Sequence, residues 1–126
     1  MNFAYTILYV KDVLRAVEFY ERAFGLKRRF IGDEGQYAEM ETGGTALAFA
    51  ADEFIRASFQ FQANDPAHAP AGIEIAFTTP DVAAAYAQAV SAGAAPLAEP
   101  KQKPWGQVVA YIRDLDGVLV EIATSM

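Results

Sequence analysis

The sequence contains no cysteine and a single histidine, His68. Without thiols there are no disulfides, thiolate metal sites or cysteine nucleophiles, a composition compatible with a reducing cytoplasm. His68 lies in Asn64-Asp65-Pro66-Ala67-His68-Ala69-Pro70, which reads as loop, so neither a multi-histidine metal site nor a Ser-His-Asp triad is expected within one chain. Any metal would depend mainly on carboxylates. Basic charge is also scarce: ten Lys and Arg face sixteen Asp and Glu, a formal net charge of −6. Nucleic acid, whose phosphates need a basic face, is therefore not an expected partner, and the balance favours neutral or cationic small ligands. Long apolar runs are missing as well; none approaches the ~20 residues of a membrane span. The opening Met1-Asn2-Phe3-Ala4-Tyr5 lacks the basic start of a secretory signal, and Lys11-Asp12 interrupts the first apolar run. A soluble, cytoplasmic protein without a membrane partner is expected.

What is present is a 126-residue chain, 53% hydrophobic, suited to one compact domain or to two small half-units sharing a core. Phe3–Val10 is β-branched and aromatic, a strand; Asp12 then caps a helix carrying Val13, Val17, Tyr20 and Phe24 at helical spacing and closed by Gly25. Strands are expected at Lys27–Ile31, Gln36–Thr42 and Thr45–Ala51. A connector over 52–71 includes Pro66 and Pro70 and a short helix near Phe54–Phe59. A strand then carries Ile73, Ile75 and Phe77 toward a helix that Thr79-Pro80-Asp81 opens and Gly93 ends, and strands follow around Pro96–Ala98, Gln107–Arg113 and Val118–Ala123.

The two halves repeat one β-α-β-β-β plan. Asp12 and Asp81 cap their helices, Gly25 and Gly93 end them, Gly35-Gln36 and Gly106-Gln107 open similar strands, and Gly44 and Gly117 precede the last ones. The aspartate pair sets an offset of 69, matching Tyr5 to Glu74; the Gly44/Gly117 pair sets 73, matching Ala48 to Glu121. Strand alternation places Glu74, Ala76 and Thr78, with Leu119, Glu121 and Ala123, on the face turned from the helix. Their counterparts are Tyr5, Ile7 and Tyr9, with Ala46, Ala48 and Ala50. Glu74 and Glu121 read either as solvated strand residues or as a pair sharing a cavity. Paired without a cation, they would repel, raise one pKa and hold a proton; with a cation they become its ligands. The three alanines read as close sheet packing or as volume for a ligand.

Tyr5-Thr6-Ile7-Leu8-Tyr9-Val10-Lys11-Asp12, Ala16-Val17-Glu18-Phe19-Tyr20 and Phe24-Gly25-Leu26 resemble the opening of the vicinal oxygen chelate superfamily, which includes glyoxalase I, bleomycin-resistance proteins and extradiol dioxygenases. Pro104-Trp105-Gly106-Gln107 and Asp114-Leu115-Asp116-Gly117-Val118-Leu119-Val120-Glu121-Ile122 resemble its closing signature. The resemblance implies an α+β fold of two βαβββ modules, 1–51 and 72–126, curling into a cup-shaped mixed sheet within one domain, 1–126, and a homodimer. It also implies metal-ligand positions at Tyr5, Ala48, Glu74 and Glu121. Only Glu121 matches the usual ligand type there, and Ala48 has no donor. A weakly held divalent ion is the most such a set supports, and no cofactor is expected.

Metal-free members that bind drugs look like this sequence, holding ligands by aromatic stacking and acidic groups. The expected function is thus binding of an aromatic or cationic small molecule in the cup by Tyr5, Tyr9, Ala48, Glu74, Trp105, Tyr111 and Glu121. Trp105, the only tryptophan, reads as a rim residue stacking on a planar ligand, or as cover for the core edge or a dimer seam. Tyr37 is a further wall candidate, and Arg113 reads as a partner of Glu121 or of a ligand anion, or as a surface residue. The alternative is a metal-dependent lyase or isomerase of glyoxalase type with Glu121 or Glu74 as general base. Dioxygenase chemistry lacks its two histidines.

Overall fold

The computed structural model describes all 126 residues. Its elements run β1 (Tyr5–Val10), α1 (Val13–Phe24), β2 (Lys27–Ile31), β3 (Tyr37–Glu41), β4 (Ala46–Ala51), α2 (Asp52–Arg56), β5 (Glu74–Thr78), α3 (Val82–Ser91), β6 (Ala95–Gln102), β7 (Val108–Arg113) and β8 (Leu119–Ala123). The β-α-β-β-β plan occurs twice, giving an α+β chain. Residues Met1–Ala63 form one compact unit and Asn64–Met126 the other, so the 52–71 stretch contributes to both. No helix is long and apolar enough to cross a membrane.

In the first unit the sheet order is β1-β4-β3-β2, with β1 parallel to β4 and the other pairs antiparallel. Asp12 Oδ1 accepts the Arg15 N–H at 3.0 Å, and Gly25 ends α1 in the left-handed region at φ 67°. The helix buries Val13, Ala16, Val17, Phe19, Tyr20 and Ala23, and Tyr20 meets Phe49 of β4 at 5.0 Å between ring centroids. Burial of each large apolar side chain in this layer stabilises by roughly 1.5–3 kcal/mol. Phe49 lies opposite Leu8 and Ala38, so these residues share the helix-covered face, and Tyr5, Ile7, Tyr9, Ala46, Ala48, Ala50, Tyr37 and Glu39 share the other.

The second unit repeats this as β5-β8-β7-β6, with β5 parallel to β8. Asp81 Oδ1 accepts the Ala84 N–H at 3.1 Å, and α3 packs over β6, β7 and β8. The edge strand β5 is less covered, and Ile75 and Phe77 are only half-buried. Ile73, expected to face the helix, precedes the strand and is 60% exposed. β6 runs well beyond the expected Pro96–Ala98. Its prolines are tolerated because it is an edge strand with two register shifts, where ladder N–H groups are not needed.

Registers match the repeat arithmetic at two strand pairs. Tyr5 pairs with Ala46 as Glu74 pairs with Leu119, and Ile7 with Ala48 as Ala76 with Glu121, so the offsets of 69 and 73 both hold. The third strand differs. Glu39 opposes Ala48 and Tyr111 opposes Glu121, an offset of 72, whereas Gly35-Gln36 and Gly106-Gln107 give 71. One additional residue after Gly106 exchanges the faces, which makes Tyr111 the counterpart of Glu39.

Candidate functional site

In the second unit three of the expected site residues converge on the face turned from α3. Tyr111 and Glu121 are directly opposed on β7 and β8, and the Tyr111 hydroxyl donates to Glu121 Oε1 at 3.2 Å. Glu74 stands on β5, on the other side of β8, its strand neighbour Ala76 opposite Glu121. Desolvation, followed by the charge of Glu121, raises the Glu74 carboxyl above its ordinary value. Desolvation and then the two glutamate charges raise the Tyr111 phenol above its ordinary value. Neither glutamate has an ion-pair partner.

The turn after β7 fixes this opposition. Asp114 is buried and its Oδ1 accepts the N–H groups of Asp116 at 3.0 Å and Val118 at 2.8 Å. Gly117 adopts φ +89°, and a Cβ there would lie 2.7 Å from Arg113 Nη2 and 2.8 Å from Pro66 Cα. Arg113, weighed as a partner for Glu121, instead donates to the carbonyls of Gly117, Pro66 and Asp65 at 3.0 to 3.3 Å. It ties the 65–66 segment to the turn. His68 is exposed beside Asp65, at 3.7 Å.

Trp105 tops the β6–β7 hairpin. Pro104-Trp105-Gly106 is a tight turn closed by the Gly106 N–H on the Lys103 carbonyl at 2.9 Å, with Gly106 at φ 101°. The indole is 65% exposed, and its Nε1 donates to Gln107 Oε1 at 2.8 Å. Gln107 lies roughly 13 Å along the strand from Tyr111, four residues at about 3.3 Å each, and alternation puts it on the same face.

The first unit carries a related but differently balanced arrangement, largely missed from sequence. Tyr37 Oη donates to Glu39 Oε2 at 2.8 Å, and Arg29 donates to Glu39 Oε1 at 3.3 Å and to both oxygens of Glu41 at 2.8 and 2.9 Å. Glu39 is buried, 8% exposed. Desolvation and the Glu39 carboxylate push the Tyr37 phenol up to about 12. Ala48 is fully buried opposite Glu39, and Tyr5 is exposed at the start of β1. Tyr9, at the far end of β1, packs against Phe61 at 4.9 Å and Phe59 at 6.5 Å. Arg29 sits at the register shift between Arg28 and Phe30; the corresponding shift in β6, between Pro96 and Ala98, carries Leu97. The first unit thus neutralises its carboxylates from this bulge, and the second has no charge there.

Of the positions implied for a metal, Tyr5 and Ala48 belong to the first unit and Glu74 and Glu121 to the second; Ala48 has no donor atom, and no three His, Asp or Glu side chains group as ligands. Two carboxylates and a phenol are oxygen donors only and, binding through one oxygen each, leave half of an octahedral shell to water, so the donors do not fit a tightly held transition metal.

Comparison with curated proteins finds no match. Among solved structures the chain is similar to a glyoxalase-related enzyme from Fulvimarina pelagi, at 22% identity over 99% of this chain and 88% of that one, TM-score 0.85. It is also similar to a glyoxalase/bleomycin resistance protein/dioxygenase family enzyme from Burkholderia phytofirmans PsJN, at 17% identity over 100% of both chains, TM-score 0.83. A third is a protein of unknown function from Agrobacterium tumefaciens strain C58, at 24% identity over 100% of this chain and 95% of that one, TM-score 0.79. These likenesses are of fold. The model of the Glyoxalase/Bleomycin resistance protein/Dioxygenase superfamily matches residues 2–122, in keeping with the doubled β-α-β-β-β plan, and the chain belongs to that superfamily.

Proposed function

We propose that the protein is a small-molecule-binding member of the superfamily that works without a metal and receives an aromatic cation on the carboxylate face of its second unit. One contrast carries this reading. Glu39 in the first unit is met by Arg29, whereas Glu74 and Glu121 lie on adjacent strands with no cation of their own, and Glu74 is raised by desolvation and then by the charge of Glu121. A ligand cation there relieves repulsion that the fold leaves in place. Tyr111 adds a ring and a hydroxyl fixed on Glu121, and Trp105 adds a second ring farther along the same face.

Calorimetric titration with proflavine, a planar aromatic cation, tests the reading. Binding to the wild type should weaken about tenfold or more in Glu74→Gln and Glu121→Gln, since each removes a charge facing the ligand. Equal affinity in all three proteins would refute the site. Thermal melts in millimolar Mn²⁺, Ni²⁺ or Mg²⁺ address the alternative of a metal-dependent lyase or isomerase using Glu121 or Glu74 as base. A thermal stabilisation by one of these ions that Glu121→Gln abolishes would favour that alternative.

A further inference from the structure

We propose that Gln107 is a positioning residue that holds the Trp105 indole on the same sheet face as Tyr111, Glu121 and Glu74, so that a ligand meets this ring by its π-face alone. This rests on the proposed binding of an aromatic cation to that face.

Both ends of the Gln107 carboxamide are committed. Oε1 accepts the Trp105 Nε1–H at 2.8 Å, and Nε2 donates to the Thr124 carbonyl at 2.7 Å. The second bond fixes which way the amide points, because only its oxygen can accept from an indole, a donor with no acceptor. Trp105 has no other hydrogen bond and no ring or cation partner within the chain, so the turn backbone and Gln107 alone set its direction. An exposed indole free about two side-chain torsions loses that freedom when a ligand stacks on it; an indole already fixed does not. The tie to Thr124 anchors it at the end of β8, three residues beyond Glu121.

The consequence is a selectivity. With its N–H occupied, Trp105 offers no donor, so ligands that rely on accepting a hydrogen bond there gain nothing, and flat electron-poor or cationic rings gain most.

Trp105 is the only tryptophan, so its emission reports on this contact without a second source. In the unliganded protein, Gln107→Leu should lower the emission anisotropy and increase quenching by acrylamide. Thr124→Val, which removes the hydroxyl that accepts the Val108 N–H at 3.0 Å but keeps the carbonyl, should leave both unchanged. A purely structural role for Gln107 would move both variants alike and would overturn the proposal. Should Gln107→Leu fail to fold, indole N–H exchange in the wild type decides: exchange slower than in free tryptophan supports the bond, and equal exchange refutes it. For proflavine, Gln107→Leu should raise Kd about three- to tenfold, the worth of one hydrogen bond, and have no further effect in a Trp105→Ala background. Additive effects would refute positioning through Trp105. If proflavine binds none of these proteins the binding reading fails, while the indole measurements still judge Gln107.

Discussion

Tyr111 and Glu121 face each other across β7 and β8, joined by a 3.2 Å hydrogen bond from phenol to carboxylate. The pair keeps one Glu121 oxygen occupied from inside the sheet. Tyr111→Phe removes the donor and leaves the half-buried carboxylate short of a partner, so urea denaturation should show a loss of about 1 kcal/mol. An unchanged midpoint would mean that solvent replaces the phenol without cost.

Glu74 makes stability depend on pH in a defined direction. Its folded pKa lies above the ordinary 4.5, because burial and Glu121 disfavour the charge. The folded state therefore binds more protons than the unfolded state between the two values, and stability declines as pH rises from about 4.5 through the folded pKa. Glu74→Gln should be more stable than the wild type at neutral pH, and the difference should vanish below pH ~4. Glu21 and Glu41, lowered by Arg28 and Arg29, slope the opposite way in both proteins and cancel in the difference. A variant of unchanged or lower stability at pH ~7 would contradict the repulsion.

Arg29 is the counterpoint in the first unit. Arg29→Met leaves the buried Glu39 with Tyr37 as its remaining side-chain donor, and should lower the melting temperature. Adding Glu39→Gln should recover part of that loss, because the carboxylate without its partner is what destabilises. Thermal melts of the two variants measure the recovery.

Gly117 has two independent reasons to be glycine, a left-handed φ of +89° and the approach of Arg113 and Pro66 within 3 Å of any Cβ. Gly117→Ala should destabilise by roughly 2 kcal/mol or more and disturb the register that sets Tyr111 against Glu121. Chemical denaturation gives the loss, and Tyr111→Phe should matter less in that background.

Most of the fold was legible because it rests on local chemistry. Asp12 and Gly25 mark the ends of α1 by capping, and the glycines before the last strands give the repeat its registers. The lie of β6 was not, since Pro96 and Pro100 look like breakers until edge position and bulges excuse them. At the site, Glu74 and Glu121 stood out as carboxylates between apolar neighbours. Glu39 did not, because Tyr37-Ala38-Glu39-Met40-Glu41 reads as an ordinary alternating strand, and its burial comes from Tyr37 and from Arg29 at a bulge. The signal that could have found it is the tyrosine two residues away on the same face, opposite a run of alanines.

If Glu74 and Glu121 receive a ligand cation, as proposed, a cation built into the sheet beside them should take its place. Ala76 is exposed, directly opposite Glu121 and two residues from Glu74. Ala76→Arg places a guanidinium between them, and Ala76→Met controls for bulk. Proflavine titrated into both should bind Ala76→Met about as well as the wild type and Ala76→Arg at least about tenfold more weakly, with Ala76→Arg the more heat-stable protein. Undiminished binding to Ala76→Arg would contradict the account.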